Sequence, residues 1–357
     1  MAVYTTIDNP ELYFQVKLYT GSGANQSITL DGSEDMQPDL VWIKDRTNTN
    51  NQVWTDSVRG VEKVILSNAS NAEATYTDGL TAFNSDGFSL GDDDDGQMNV
   101  NTNACVAWCW KAGTSFTNDA SATSVGSLDS EGSINTTAGF SIIKWTNGTS
   151  SAQTIAHGLS AVPKMLIMKV TGATGSWNTY HGANTSAPET DGLYLNSTAA
   201  TEDNDAFWDD TAPTSAVFKT GTNGNLINNT LVAYCFAEKQ GFSKFGSFVS
   251  NGNADGTFCY LGFRAAFILM KKSSASGTDW YIFYNKYPGY NENNKSVRAN
   301  TDHDEEQASG YAMDILSNGF KIRTSNTAIG ESGATYIYAA FAEQPFVNSK
   351  GVPCNAR

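Results

Sequence analysis

The chain has 357 residues, of which 17% are charged, 40% hydrophobic and 11% aromatic. Ser, Thr, Asn and Gly number 136; these residues favour strands, turns and caps over helix interiors, which excludes a helical bundle, and the apolar content excludes a disordered chain. A formal net charge of −15 leaves no basic stripe to neutralise phosphates, so nucleic acid is excluded as a partner, and an anionic membrane surface would repel the chain.

Residues 1–11 have neither the basic nor the apolar region of a secretory signal. They read as an N-terminal arm outside the folded units. This arm, or the C-terminal tail at 347–357, is expected to dock onto a partner subunit. The longest apolar runs are far short of a membrane span, so no membrane insertion is expected.

The first unit, 12–112, opens on Leu18-Tyr19-Thr20-Gly21. Pro38 then precedes the apolar run Leu40-Val41-Trp42-Ile43-Lys44, with Trp54 beyond it. Gly87-Phe88-Ser89-Leu90 follows, and Val106-Ala107-Trp108-Cys109-Trp110 closes the unit. A continuous apolar stretch of this length predicts a strand buried on both faces, with the proline tolerated at its first residue. Residues 113–138 are rich in Ser, Thr, Gly and Asp and read as a linker.

The same markers return at 139–240: Lys144-Trp145-Thr146-Asn147-Gly148, Leu166-Ile167-Met168-Lys169 after Pro163, Trp177, Val217-Phe218-Lys219-Thr220 and Val232-Ala233-Tyr234-Cys235-Phe236. They return again at 241–346: Phe248-Val249-Ser250-Asn251-Gly252, Ile268-Leu269-Met270-Lys271, Trp280, Gly319-Phe320-Lys321-Ile322 and Ile337-Tyr338-Ala339-Ala340-Phe341. Ala265 stands where Pro38 and Pro163 lead, and should loosen that strand start. Turn chemistry separates the runs: Asn84-Ser85-Asp86-Gly87, Thr222-Asn223-Gly224-Asn225 and Ser317-Asn318-Gly319. Ordered markers recurring three times predict an all-β chain of three tandem antiparallel β-sandwich repeats, jelly-roll or lectin-like, of about 100 residues each. A homo-oligomer is expected, with a trimer as the first choice. Alternatively, the three copies mimic a trimer within one chain, about a pseudo-threefold axis.

Motifs that carry chemistry elsewhere read as structure here. Gly87-Phe88-Ser89-Leu90-Gly91 satisfies G-x-S-x-G but follows a turn and runs into four aspartates rather than a helix, so it is no nucleophile elbow. Gly91-Asp92-Asp93-Asp94-Asp95-Gly96 fails the calcium-loop ligand pattern and reads as a solvated acidic turn. His157, His181 and His303 form no recognisable ligand set. The five cysteines are scattered and odd in number, and read as buried hydrophobes in a reducing compartment. The Asn-x-Ser/Thr triplets at Asn68, Asn147 and Asn196 read as products of composition. No catalytic residue, cofactor or metal site is expected. Trp54, Trp177 and Trp280 read as core anchors. Trp208 and the loop aromatics Tyr284, Tyr287 and Tyr290 are the candidates for glycan or subunit contact.

The third copy resembles a repeat module of bacteriophage virion proteins. The resemblance rests on Ser243-Lys244-Phe245-Gly246-Ser247, Gly262-Phe263-Arg264-Ala265-Ala266-Phe267-Ile268-Leu269-Met270-Lys271, Asp279-Trp280-Tyr281-Ile282, Leu316-Ser317-Asn318-Gly319-Phe320-Lys321-Ile322-Arg323 and the segment from Thr335 to Phe346. The second copy matches through His157-Gly158-Leu159 and Pro163-Lys164, and the first through Asp56-Ser57-Val58-Arg59-Gly60. The resemblance covers most of 12–346. It implies a structural protein of a tail fibre, tail appendage or capsid decoration, assembled in the host cytoplasm and carried on the virion. The implied partners are other virion proteins and a host surface glycan; a free carbohydrate-binding protein is the alternative. The module brings no catalytic residues.

Overall fold

The apolar runs become strands whose side chains alternate between two buried environments. In Leu40–Asp45, Leu40 and Trp42 point into one core, and Val41 and Ile43 into another. In Met165–Val170, Met165 and Ile167 share that first core, whereas Leu166, Met168 and Val170 enter a third. This period of two is the pleat of a strand covered on both faces. The computed structural model describes residues 4–148, 152–221, 223, 226–286 and 289–354. Thr222, Gly224 and Asn225 of the second unit's expected turn lie outside the described residues, as do Tyr287 and parts of the arm and tail.

The first lobe's large sheet runs, edge to edge, Phe14–Thr20, Ala104–Trp110, Leu40–Asp45, Gln52–Asp56, Lys63–Leu66 and Ala74–Thr75. A small sheet, Gln26–Ile28, Gly87–Leu90 and Leu80–Asn84, covers its outer face. The third lobe repeats this order as Ser243–Val249, Thr335–Pro345, Phe263–Lys272, Trp280–Tyr284, Lys295–Arg298 and Glu306–Gln307, with Phe258–Tyr260, Gly319–Ile322 and Met313–Leu316 as the small sheet. The second lobe has the same six in its large sheet: Phe140–Thr146, Thr230–Phe236, Met165–Val170, Asn178–His181, Asp191–Tyr194 and Glu202–Asp203. Its small sheet is Thr154–Ala156 with Val217–Lys219. Every strand pair within these sheets is antiparallel.

Two expectations are corrected here. Residues 113–138 are not a linker: Thr114–Asn118 and Ser130–Asn135 form a hairpin that extends the second lobe's large sheet beyond Phe140–Thr146. A one-turn helix, Ala120–Thr123, sits at its tip, capped by Asp119. The hairpin has few large apolar residues because only one of its faces is covered. Nor does the arm stand outside the folded units. Ile7 is buried in the shared core, and Tyr4 donates its hydroxyl to Gly262 O of the third lobe. Asp8 accepts from the Ser349 backbone and hydroxyl. Gly241, at φ +78, lies so close to Thr5 that a Cβ there would sit 2.9 Å from the Thr5 Cβ. Residues 4–8 are thus fastened to the third lobe and to Ser349. Ala265, lacking the proline of its counterparts, lies in a β-bulge where the register against Thr335–Pro345 shifts.

The inner faces of all three large sheets meet in one core. Trp110, Phe236 and Phe341 occupy the same position in the closing strand of each lobe. They touch in a triangle, with ring centroids 6.4, 5.7 and 5.5 Å apart. Phe267 packs edge-on against Trp108 at 5.7 Å and Trp110 at 5.6 Å, and tilted against Trp42 at 6.3 Å. Edge-to-face ring pairs add about 0.5–1.5 kcal/mol each beyond the area they bury. The lobes therefore share a common centre rather than stand as separate beads.

Candidate functional site

The seams between lobes repeat cyclically. Glu73 N donates to Thr171 O, Thr201 N to Ser273 O, and Glu305 N to Arg46 O, at 2.9, 2.9 and 3.1 Å. Each acceptor stands two residues beyond the marker lysine of its lobe. Those lysines are fully buried. Lys169 Nζ donates to Gly175 O of its own lobe and to Ser70 O of the first, at 2.7 and 3.1 Å. Lys271 Nζ donates to Thr278 O at 2.8 Å and to Thr198 O of the second lobe at 3.3 Å. Lys44 Nζ donates to Asn48 O, Asn50 O and, at 3.0 Å, to Asp302 O of the third lobe. The first lobe thus meets the third as the second meets the first, and the ring closes. Burial pushes each of these ammonium groups down to about 8. That is still above neutrality, so each remains a three-donor cation at pH 7.

A second contact stands beside each lysine, and in the first lobe a glutamine rather than a tryptophan makes it. Trp177 stands one residue before Asn178, the cross-strand partner of Met168, and its indole N–H donates to Leu66 O of the first lobe at 2.8 Å. Trp280 pairs with Lys271 and donates to Tyr194 O of the second lobe at 3.0 Å. In the first lobe the residue opposite Lys44 is Gln52, not Trp54. Gln52 Nε2 takes the indole's role, donating to Arg298 O of the third lobe at 2.5 Å. Trp54 stands two residues on, opposite Trp42, and packs against Trp177 and Tyr234. All three tryptophans are core residues. Asn68, Asn196 and Asn300 accept from the backbone N–H of Gln52, Trp177 and Trp280, so two of the Asn-x-Ser/Thr asparagines serve the seams.

Two buried charged clusters complete the joints. Asp56 Oδ2 accepts from Arg59 Nε and from the Tyr234 hydroxyl of the second lobe, each at 2.6 Å. Glu305 of the third lobe accepts from Arg46 Nε and Nη2, at 2.8 and 3.1 Å, and from the Tyr284 hydroxyl. Burial raises the Tyr234 and Tyr284 phenols well above their ordinary range, so both remain donors.

These contacts correct two of the candidate contact residues. Tyr284 is 1% exposed because its hydroxyl is committed to Glu305 at the joint of first and third lobes. Trp208, also 1% exposed, packs edge-on against Tyr180 in the second lobe's core. Tyr287 lies outside the described residues. Tyr290 is exposed at 68%.

The groups that suggest chemistry are spent on structure. Ser89 lies within the strand Gly87–Leu90, and its hydroxyl meets Ser27 and Asn84. In the acidic turn Asp92, Asp94 and Asp95 are solvated as expected, but Asp93 is buried, its Oδ2 accepting from the backbone of Met98 and Asn99 at 2.7 and 2.6 Å. Among the described residues no three His, Cys, Asp or Glu side chains come together as a metal site. Cys105, Cys235 and Cys259 are pushed up to about 12 by burial, and Cys109 further, which leaves them unreactive thiols.

An open groove of about 810 Å³ lies beside the 114–135 hairpin. Its acids are engaged. Asp119 caps the one-turn helix, Asp129 accepts from Ala120 N at 2.9 Å, and Glu131 pairs with Lys144 at 2.9 Å. The hydroxyl of Ser121 and the backbone of Ala122 hold Asp119 below the usual carboxylate range, the opposite of what a general acid requires. No helix among the described residues is long and apolar enough to cross a membrane.

Comparison with curated proteins and with solved structures returns no match. Residues 9–345, which take in all three lobes, match the family described as domain of unknown function DUF7483, and the chain belongs to that family.

Proposed function

We propose that this chain is a structural protein of a bacteriophage particle, part of a tail fibre, tail appendage or capsid-attached decoration, serving assembly and attachment to the host surface. The observation that carries this reading is the ring itself. Three lobes share one core and are joined by buried lysines, so a single chain makes a rigid three-lobed body without a disulfide among its described residues. Such a body suits a role borne on a particle, where mechanical and proteolytic resistance matter more than catalytic mobility. The resemblance of the third copy to virion repeat modules supplies the context. In this reading the threefold arrangement expected of a trimeric fibre lies within the chain. Its partners are other virion proteins, and homo-oligomers form through the particle. The reading assigns no catalytic step.

Mass spectrometry of density-gradient-purified particles, with antibody labelling of intact ones, tests the proposal. The expected result is the chain at fixed stoichiometry in the particle band and label on its surface. Recovery of the chain only from the soluble fraction of infected cells would overturn it.

A further inference from the structure

Three copies of one fold provide an internal control for every surface position. The strand pairs Ile28 with Phe88, Ile155 with Phe218, and Cys259 with Phe320 align the three small sheets. On that alignment the residues flanking the buried one are Ser27 and Thr29 in the first lobe, both exposed, and Thr154, half-buried, and Ala156, buried, in the second. In the third lobe they are Phe258 and Tyr260. These rings are 44% and 48% exposed. Among the described residues only seven large hydrophobic side chains are exposed, and two of them stand together here. The fold does not need aromatic rings at positions where its sister lobes use serine, threonine and alanine, and leaving them in water forgoes the gain from burying them.

The rings are held and rimmed. Tyr4 of the arm places its hydroxyl 3.2 Å from that of Tyr260. Lys244 Nζ lies over the Tyr260 ring, 5.4 Å from its centroid. Phe258 lies over the backbone of Gly319. Residues two apart on a strand stand about 6.8 Å from one another, so the two rings form a short ledge. Lys321 stands directly across from Phe258 and pairs with Asp255. Arg323 reaches Asp255 at 3.6 Å and Asp314 at 3.4 Å.

From this arrangement we infer that Phe258 and Tyr260 are the stacking floor of a saccharide site that takes pyranose chains of a bacterial cell-surface polysaccharide. A pyranose offers an apolar C–H face to a ring and a rim of hydroxyls to the carboxylates, ammonium and guanidinium around it. That is the combination of apolar base and few polar groups that a small-ligand site uses. The ledge is much smaller than the roughly 800 Å² per partner of a stable protein interface, which argues against a protein occupant. Lys244, Lys321 and Arg323 bring three cationic side chains to this face of a chain of net charge −15. It is therefore open to polysaccharides that carry uronate or phosphate. The inference rests on the proposed attachment role and adds its site and ligand class.

The test is binding of the purified chain to an array of bacterial lipopolysaccharides and capsular polysaccharides. The double variant Phe258→Thr, Tyr260→Thr, which installs residues the sister lobes already carry, is compared with Tyr290→Ala. Wild type and Tyr290→Ala are expected to bind alike, and the double variant at least tenfold more weakly with an unchanged melting temperature. Hydrogen exchange of the wild-type chain with its best-binding polysaccharide keeps the test independent of the variant's folding: protection is expected over 255–261 and 319–323. Absence of binding across the array, equal binding by the double variant, or protection confined to other segments would each overturn the inference. The assay uses the chain alone. Its failure with a particle-borne chain removes this site and leaves the particle role, whereas glycan binding by a chain absent from particles removes the role and leaves the site.

Discussion

Asp56→Ala is expected to destabilise the chain by about 3–5 kcal/mol, the cost of stranding a buried charge. Asp56 is fully buried, and both its oxygens are in use. One takes the backbone N–H groups of Val58 and Arg59, at 3.1 and 2.9 Å. The other takes the Arg59 guanidinium and the Tyr234 phenol. Without the carboxylate, Arg59 stays buried with Glu73 at 3.2 Å and two carbonyl oxygens as its partners, and Tyr234 loses its acceptor inside the core. The loss falls on a joint, since Asp56 belongs to the first lobe and Tyr234 to the second. A double-mutant cycle of Asp56→Ala with Tyr234→Phe should therefore give a coupling of about 0.5–3 kcal/mol. Urea unfolding of the four proteins measures both quantities. A single variant within 1 kcal/mol of wild type, or additive effects, would contradict the joint.

Acid should weaken the fold through its buried histidines. His181 is buried where the second and third lobes meet. Its Nδ1 accepts from Ala183 N at 3.2 Å, so Nε2 carries the proton and donates to Tyr338 O at 3.0 Å. His157 repeats the pattern, with Leu159 N on Nδ1 and Thr214 O beside Nε2. Both rings are satisfied as neutral imidazoles, and a second proton would break the Nδ1 bond. Burial lowers His181 from 6.5 to about 4 and lowers His157 in the same direction. Below pH 6.5 the unfolded chain binds protons that the fold refuses, so stability present above 6.5 is lost as the pH falls towards 4. For His181 the loss is about 3 kcal/mol. Urea midpoints from pH 7 to pH 4 should fall in wild type and fall less in His181→Gln. Parallel curves for the two proteins would contradict the assignment.

The all-β class is legible in the sequence because its strand and turn markers recur along the chain. The run before each marker lysine is apolar without alternation, as a strand between two cores must be, and the recurring Phe88, Phe218 and Phe320 mark the small sheets. Three features were hidden for physical reasons. The Trp54 alignment failed because side-chain roles in a sheet shift in steps of two, and Gln52 performs with an amide what Trp177 and Trp280 perform with an indole. The 114–135 hairpin resembled a linker because a strand covered on one face needs little apolar material; Phe116 and Ile134 are its main hydrophobic contributions to the second lobe's core. Tyr284 and Trp208 looked like exposed aromatics because what buries them lies outside their local sequence: Tyr284 is covered by a lobe joint and Trp208 by residues well separated along the chain. The exposed pair at Phe258 and Tyr260 was readable in principle. Aligning the copies on the phenylalanine markers shows aromatic residues where the others have serine, threonine and alanine.

Differential scanning calorimetry of the purified chain tests the shared core most directly. Lobes joined through the Trp110, Phe236 and Phe341 triangle and three buried lysines should unfold together. The prediction is one transition whose calorimetric and van't Hoff enthalpies agree. Two or three separable transitions, each carrying a share of the enthalpy, would show lobes that fold alone and would contradict the closed ring.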